Sequence, residues 1–278
     1  IPFAELAAKT NYSFLEGASH AEEMVIQAKA LGYTALGTVD TYGVYGSPRA
    51  HVAAKEHGLP FVAGAEVTVE GSRALLLARN RVGYGNLCEL LTLTHDDRDN
   101  PRASWQQLFS YCSDLFLLLP SWKLNEAMVP RVREAFGEHF ALLVSRYLDG
   151  SDLVRLKTAE AQAHRLGVPC VASNQPLFHI PERKPLQDVL ACIRHGCSLR
   201  EGGLHLLPNA ERYLKSPAQM RELFREYPEW IENSARIAAD CRFSLDEIRY
   251  RYPTEWIPAG KTGDSYLAEL VLPAGIHS

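Results

Sequence analysis

The sequence predicts an α/β protein in which short parallel strands alternate with helices. Three observations carry that prediction. One grammar, helix then glycine then short apolar strand, occurs three times, and it is the mark of βαβ units. About seven short apolar runs read as strands before residue 205, and none after it. The 278 residues, 46% of them apolar, suffice for one large core or two small ones, and (β/α) barrels run to about 250 residues as one unit.

The elements follow in order. Phe3–Ala8 reads as an opening strand. A helix over 20–31 has Ala21, Met24, Val25, Ala28 and Leu31 at helical spacing, a capping box of Ser19 and Glu22, and Gly32 after it. Strand Tyr33–Val39 follows, then a helix over 47–57, Gly58 and strand Pro60–Ala63. Ala74–Ala78 reads as a strand, 84–94 and 104–110 as helices, and Leu115–Leu119 as a strand. A helix over 124–135 precedes strand Phe140–Val144. The third repeat is a helix over 152–166, Gly167 and strand Pro169–Ala172, with a helix over 186–194 beyond. Ser216-Pro217 with Gln219 caps a further helix, and Glu229–Cys241 reads as another, with Ile231, Ala235 and Ala238 on one side. Beyond Tyr252 the chain is rich in Pro, Gly and Thr and reads as a linker.

Composition excludes several classes. The net charge of −4 argues against a dedicated nucleic-acid module. The longest apolar runs are too short to span a membrane, and no signal peptide is visible. The ends read as those of a piece of a longer protein. Six cysteines without a CxxC pair read as reduced cytosolic thiols, and the expected location is cytoplasmic. No two of the ten histidines lie closer than six apart, so HxH, HxxxH and HExxH are absent. The Walker loop, GxGxxG and GxSxG are absent too. His95-Asp96-Asp97 reads as a solvated loop rather than a metal cluster, and Arg249-Tyr250-Arg251-Tyr252 is too short to carry single-strand binding. Asp40 ends a strand and Glu66 closely follows one; in a parallel barrel those ends face the active site.

Leu6-Ala-Ala-Lys-Thr-Asn-Tyr-Ser-Phe-Leu-Glu-Gly-Ala18 resembles the first motif of the PHP (polymerase and histidinol phosphatase) domain, a His-x-His pair, Thr-x-Tyr-Ser and Asp-Gly. Asp40-Thr41 is similar to the second motif, Thr-Asp-His, and Gly64-Ala65-Glu66 to the third, Gly-x-Glu. Ala74–Asn80 with Gly83-Tyr-Gly-Asn-Leu87 resembles bacterial C-family, DnaE-like DNA polymerase III alpha subunits. Pro185–Leu190, Asn209–Leu214 and Phe243–Tyr250 resemble their error-prone branch. The resemblance covers about 3 to 255. It implies a distorted seven-stranded (β/α) barrel over 1–205, a helical C-terminal extension packed on it over 206–255, and a linker over 256–278 towards a polymerase body. It also implies, for the parent chain, Mg-dependent nucleotidyl transfer in damage-induced DNA synthesis, contact with DNA, and accessory proteins of translesion synthesis.

The metal-binding members hold up to three metals with nine side chains. By position, the first-motif histidines fall on Ala7 and Lys9, and the aspartate on Glu16. Asp40 is kept, the second-motif histidine falls on Thr41, and Glu66 matches. A later histidine falls near Arg73, a Cys or His has no counterpart near Pro120-Ser121-Trp122, and the last Asp-x-His falls on Gln175 and Leu177. Catalytic zinc takes about three strong protein ligands. The expectation is therefore a degenerate site with no catalytic residue and no metal, in which Lys9 pairs with the remaining acids, since a buried carboxylate without a partner is costly. The alternative is that Lys9 snorkels to solvent at the barrel mouth. Family members act as 3′–5′ exonucleases or as scaffolds, and the missing ligands point to a scaffold. The rivals are a PHP phosphoesterase or exonuclease with a rebuilt site and a stand-alone, non-catalytic interaction protein.

Overall fold

The computed structural model describes residues 2–96, 101–248 and 257–271. In chain order the elements are β1 (Ala4–Ala8), α1 (Ala21–Ala30), β2 (Ala35–Thr41), α2 (Ser47–His57), β3 (Phe61–Val69) and β4 (Ser72–Ala78). Then come α3 (Arg81–Thr94), α4 (Trp105–Ser110), β5 (Leu115–Pro120), α5 (Val129–Phe136), β6 (Phe140–Val144), α6 (Asp152–Leu166) and β7 (Cys170–Ala172). Helices α7 (Lys184–His195), α8 (Pro217–Leu223), α9 (Pro228–Asp240) and α10 (Gly263–Val271) complete the chain. Two compact units result, Ile1–Leu245 and Asp246–Ser278, and α10 lies in the second. The stretch expected to be a linker therefore contains a helix, whose first turn is capped by reciprocal bonds between Thr262 and Ser265. No helix among the described residues is long and apolar enough to cross a membrane.

The seven strands form one sheet in the order β1-β2-β3-β4-β5-β6-β7. The reading of an all-parallel sheet needs correcting: β4 runs antiparallel to both β3 and β5. The cause is local. Only Glu70 and Gly71 separate β3 from β4, both at positive φ (47° and 85°), and a two-residue turn of that hand forces a hairpin. The predicted capping box also shifts by one residue. His20 takes the cap, its amide donating to Glu23 Oε2 at 2.8 Å. Ser19 is engaged elsewhere: its hydroxyl lies 2.7 Å from His179 Nδ1 and accepts the His179 amide at 3.0 Å.

Strand alternation sorts the core into two layers. Leu75, Leu77, Phe116, Leu118, Ala141 and Leu143 point into the curl of the sheet, where Ala4, Leu6, Ala7 and Val39 meet them. Their neighbours Ala74, Leu76, Leu117, Leu142 and Val144 face the helices. Ile237 of α9 and Cys241 complete the inner layer.

The sheet's two edges, β1 and β7, are bridged by side chains. The wholly buried Glu5 carboxylate accepts the amides of Ala7 and Asn174, each at 2.9 Å, and the Ser173 hydroxyl. Helix α9 serves the same seam, since Ser234 Oγ accepts the Ala4 amide at 3.1 Å and Asn233 Nδ2 donates to the Cys170 carbonyl at 2.7 Å. Desolvation pushes the Glu5 carboxyl above its ordinary value, although these bonds pull the other way. A register shift in β1 between Glu5 and Ala8 accompanies the bond from the Ala7 amide to Glu5. Because of it, Ala7 joins Leu6 in the inner layer and Ala8 faces the helices. Bulges re-aim side chains in this way; this one sets the phase that brings Lys9 to the inner side.

Candidate functional site

The loop Thr10–Ser19 leaves β1 at the mouth of the curled sheet and is held by Asp40 at the end of β2. One Asp40 oxygen accepts the Thr10 amide at 2.7 Å and the Ser13 hydroxyl at 2.6 Å; the other accepts the Thr10 hydroxyl at 2.8 Å. Burial pushes the Asp40 carboxyl up, against those bonds and the charge of Lys9. Ser13 O then accepts the amides of Glu16 and Gly17, at 2.9 and 3.0 Å, closing the turn that presents Glu16. Gly17 has no room for a side chain: a Cβ there would stand 1.9 Å from the Thr10 carbonyl oxygen.

Lys9 is the centre of the site. Its ammonium lies 2.7 Å from Glu16 Oε1, 2.8 Å from Thr41 Oγ1 and 3.0 Å from Glu66 Oε1. Three protons meet three acceptors, and only 4% of the side chain is exposed. The side chain does not reach solvent, so the snorkelling alternative is set aside. Thr41 in turn donates to Glu16 Oε2 at 3.0 Å. Burial alone would raise the Glu16 carboxyl; the charge and hydrogen bond of Lys9, then Thr41 and Arg73, hold it down at about 2. The other Glu66 oxygen accepts from the Arg73 guanidinium, brought there by the antiparallel pairing of β3 with β4. Gln175 Oε1 sits 3.5 Å from Arg73, while Gln175 Nε2 donates to Ser145 Oγ at 2.9 Å.

The structure thus gathers Lys9, Glu16, Thr41, Glu66, Arg73 and Gln175 into one network and puts Asp40 beneath it as the anchor of the loop. Ala7 lies in the inner core, and Leu177 packs with Ala18 and Phe178 in a separate apolar cluster. His95 Nε2 lies 2.8 Å from the Tyr42 carbonyl, while Asp97 and the run Arg249–Tyr252 fall outside the described residues. Sequence reasoning missed three contributors. Thr10 and Ser13 stood in the Thr-x-Tyr-Ser motif without a role, and Arg194, 3.9 Å from Glu16, carried no signal because α7 meets the mouth only through tertiary structure.

This donor set does not fit a metal cluster. The Glu16 and Glu66 oxygens are occupied by an ammonium, a hydroxyl and a guanidinium, and Asp40 is committed to the loop. Among the described residues no group of three or more His, Cys, Asp or Glu is placed to hold a metal ion.

The PHP domain family model matches residues 5–150, and the chain belongs to that family. Curated proteins similar to this chain include error-prone DNA polymerases. The one from Anaeromyxobacter dehalogenans (strain 2CP-1) is 40% identical over 90% of this chain and 23% of its own length. Error-prone DNA polymerase 1 of Agrobacterium fabrum is 37% identical over 98% of this chain and 26% of its own length. That of Methylococcus capsulatus is 41% identical over 96% and 26%. The chain spans about a quarter of the length of these relatives. Among solved structures, a candidate metal-dependent phosphoesterase of Bifidobacterium adolescentis shares the fold, with a TM-score of 0.50 and 13% identity over 63% of this chain and 87% of that one.

Proposed function

We propose that this chain is the PHP domain of an error-prone DNA polymerase and serves it as a scaffold, its metal site replaced by fixed side-chain cations. The observation that carries the reading is the Lys9 ammonium between Glu16 and Glu66, at the position where metal-binding members have a histidine. An ammonium neutralises the acids but neither polarises a phosphoryl oxygen nor lowers the pKa of a bound water, which are the services a catalytic metal supplies. Nothing else in the network activates water: Thr41, Arg73 and Gln175 donate to acceptors already on the protein. Polymerisation, with its Mg ions, belongs to a polymerase body of the same parent chain. DNA and the accessory proteins of damage-induced synthesis meet this domain through that body, in the cytoplasm.

The test is metal content and nuclease activity together. Protein purified without added metal should hold substoichiometric transition metal, and its melting temperature should not change with chelator. A 3′-labelled primer incubated with manganese or zinc should stay intact. Metal-dependent release of nucleotide or phosphate that disappears in Glu66→Ala would overturn the scaffold reading and establish a phosphoesterase with a rebuilt site.

A further inference from the structure

Helix α7 ends in a turn that brings two thiols together. Cys192 and Cys197 are five residues apart, and on an uninterrupted helix that spacing would put them about 140° apart around the axis. The helix stops first. Gly196 adopts φ 63°, the Gly196 amide donates to the Ile193 carbonyl at 3.2 Å, and the Cys197 amide donates to the Cys192 carbonyl at 3.0 Å. That pair of bonds defines a Schellman turn, in which the side chains at the two ends of the longer bond pack against each other. Here those side chains are both thiols. Burial first, and the neighbouring Cys197 second, push the Cys192 thiol up. Cys192 is buried at 5% exposure, whereas Cys197 is half-buried and open to reagents. The turn is also braced from outside, because His195 stacks on His205 with ring centroids 4.0 Å apart. The other four thiols sit in different surroundings: Cys112 and Cys170 donate to the carbonyls of Ala135 and Ala159, Cys241 lies in the inner core, and Cys88 is half-buried on α3 beside Tyr84.

We propose that Cys192 and Cys197 form a dithiol–disulfide site that reacts with small disulfides of the glutathione class. Cys197 loses its proton to solvent and its thiolate attacks one sulfur of the oxidant. The oxidant's S–S bond breaks, one thiolate leaves, and a mixed disulfide remains on Cys197. Cys192 then loses its proton and attacks the Cys197 sulfur, and the second small thiolate leaves. The protein gives up two electrons and two protons, and one disulfide oxidant becomes two thiols. The capping turn supplies what the second step needs, a second thiol on the residue at the other end of the same backbone hydrogen bond.

The sequence provides a clean assay, since trypsin cuts at Arg194, between the two cysteines. The folded chain is incubated with glutathione disulfide, quenched in acid, alkylated and digested without reductant. The expected product is peptide 184–194 linked to peptide 195–200, with both glutathiones released. Cys192→Ser should instead arrest as a stable glutathione adduct on Cys197, with the linked peptide lost. Circular dichroism of each variant verifies the fold. A wild-type chain that accumulates the adduct without the linked peptide would overturn the proposal. So would a linked peptide that forms only in denaturant, because the capping turn would then not be its cause.

Discussion

Replacing Lys9 by methionine isolates the energetic role of the network, because the apolar stem is kept and the charge is lost. The Lys9 side chain is 4% exposed, and its partners Glu66 and Glu16 are 10% and 22% exposed. Breaking a buried pair by removing one member costs about 3–5 kcal/mol, against about 0–1 kcal/mol for an exposed pair. Glu16 would keep the Thr41 hydroxyl, the more remote charge of Arg73 and a distant Arg194, whereas Glu66 would keep its direct bond to Arg73. The low end of the buried range applies, about 3 kcal/mol, and the stranded charge is chiefly Glu16. Lys9→Met combined with Glu16→Gln should therefore recover about 2 kcal/mol, within the range of coupling between contacting residues. Lys9→Met combined with Glu66→Gln should recover less, because it orphans Arg73. The assay is urea unfolding at pH 7, followed by the fluorescence of the buried Trp105 and Trp230. Coupling of Lys9 to both acids below about 0.5 kcal/mol would refute the reasoning, as would a larger coupling to Glu66 than to Glu16.

Two further predictions concern the same loop. The Glu16 carboxyl titrates at about 2 in the folded chain and at the ordinary 4.5 when unfolded, so its stabilisation is present above 4.5 and is lost as pH falls towards 2. That amounts to about 3 kcal/mol, and Glu16→Gln should remove it from the acid limb of the stability profile; superimposable limbs, with the urea midpoint read at each pH, would contradict it. Gly17→Ala should cost about 1–3 kcal/mol, because the new Cβ would meet the Thr10 carbonyl at 1.9 Å; an unchanged urea midpoint would mean that the loop yields freely.

The strands were legible because each is a short apolar run bounded by turn residues, and the two-layer core makes both faces of most strands apolar. The direction of β4 was not read, because it rests on a two-residue turn whose glycine is the only local signal. That omission hid a site contact. In a parallel sheet Arg73 would not face Glu66; in the hairpin, Arg73 pairs with Thr68, two residues beyond Glu66, and the guanidinium reaches back. Lys9 was legible as a departure from a motif, but its inward direction depends on the register shift after Glu5, and a pattern of side-chain types does not display a bulge. Asp40 was legible as an acid at a strand end, yet its three bonds to the Thr10–Ser13 turn make it an anchor and not a ligand.

Charge balance accounts for the acids of this buried network. Glu16 and Glu66 face Lys9 and Arg73, two anions against two cations, and the network ties the first loop, β2 and the β3–β4 hairpin together. A buried network of this kind need not exceed the stability of a well-packed apolar replacement. Its members nevertheless depend on one another, since losing any one strands a charge. Each acid is thus the counter-ion of a buried or half-buried cation, Glu16 of Lys9 and Glu66 of both Lys9 and Arg73. A metal bridging Glu16 and Glu66 would have to displace the Lys9 ammonium from both and the Arg73 guanidinium from Glu66.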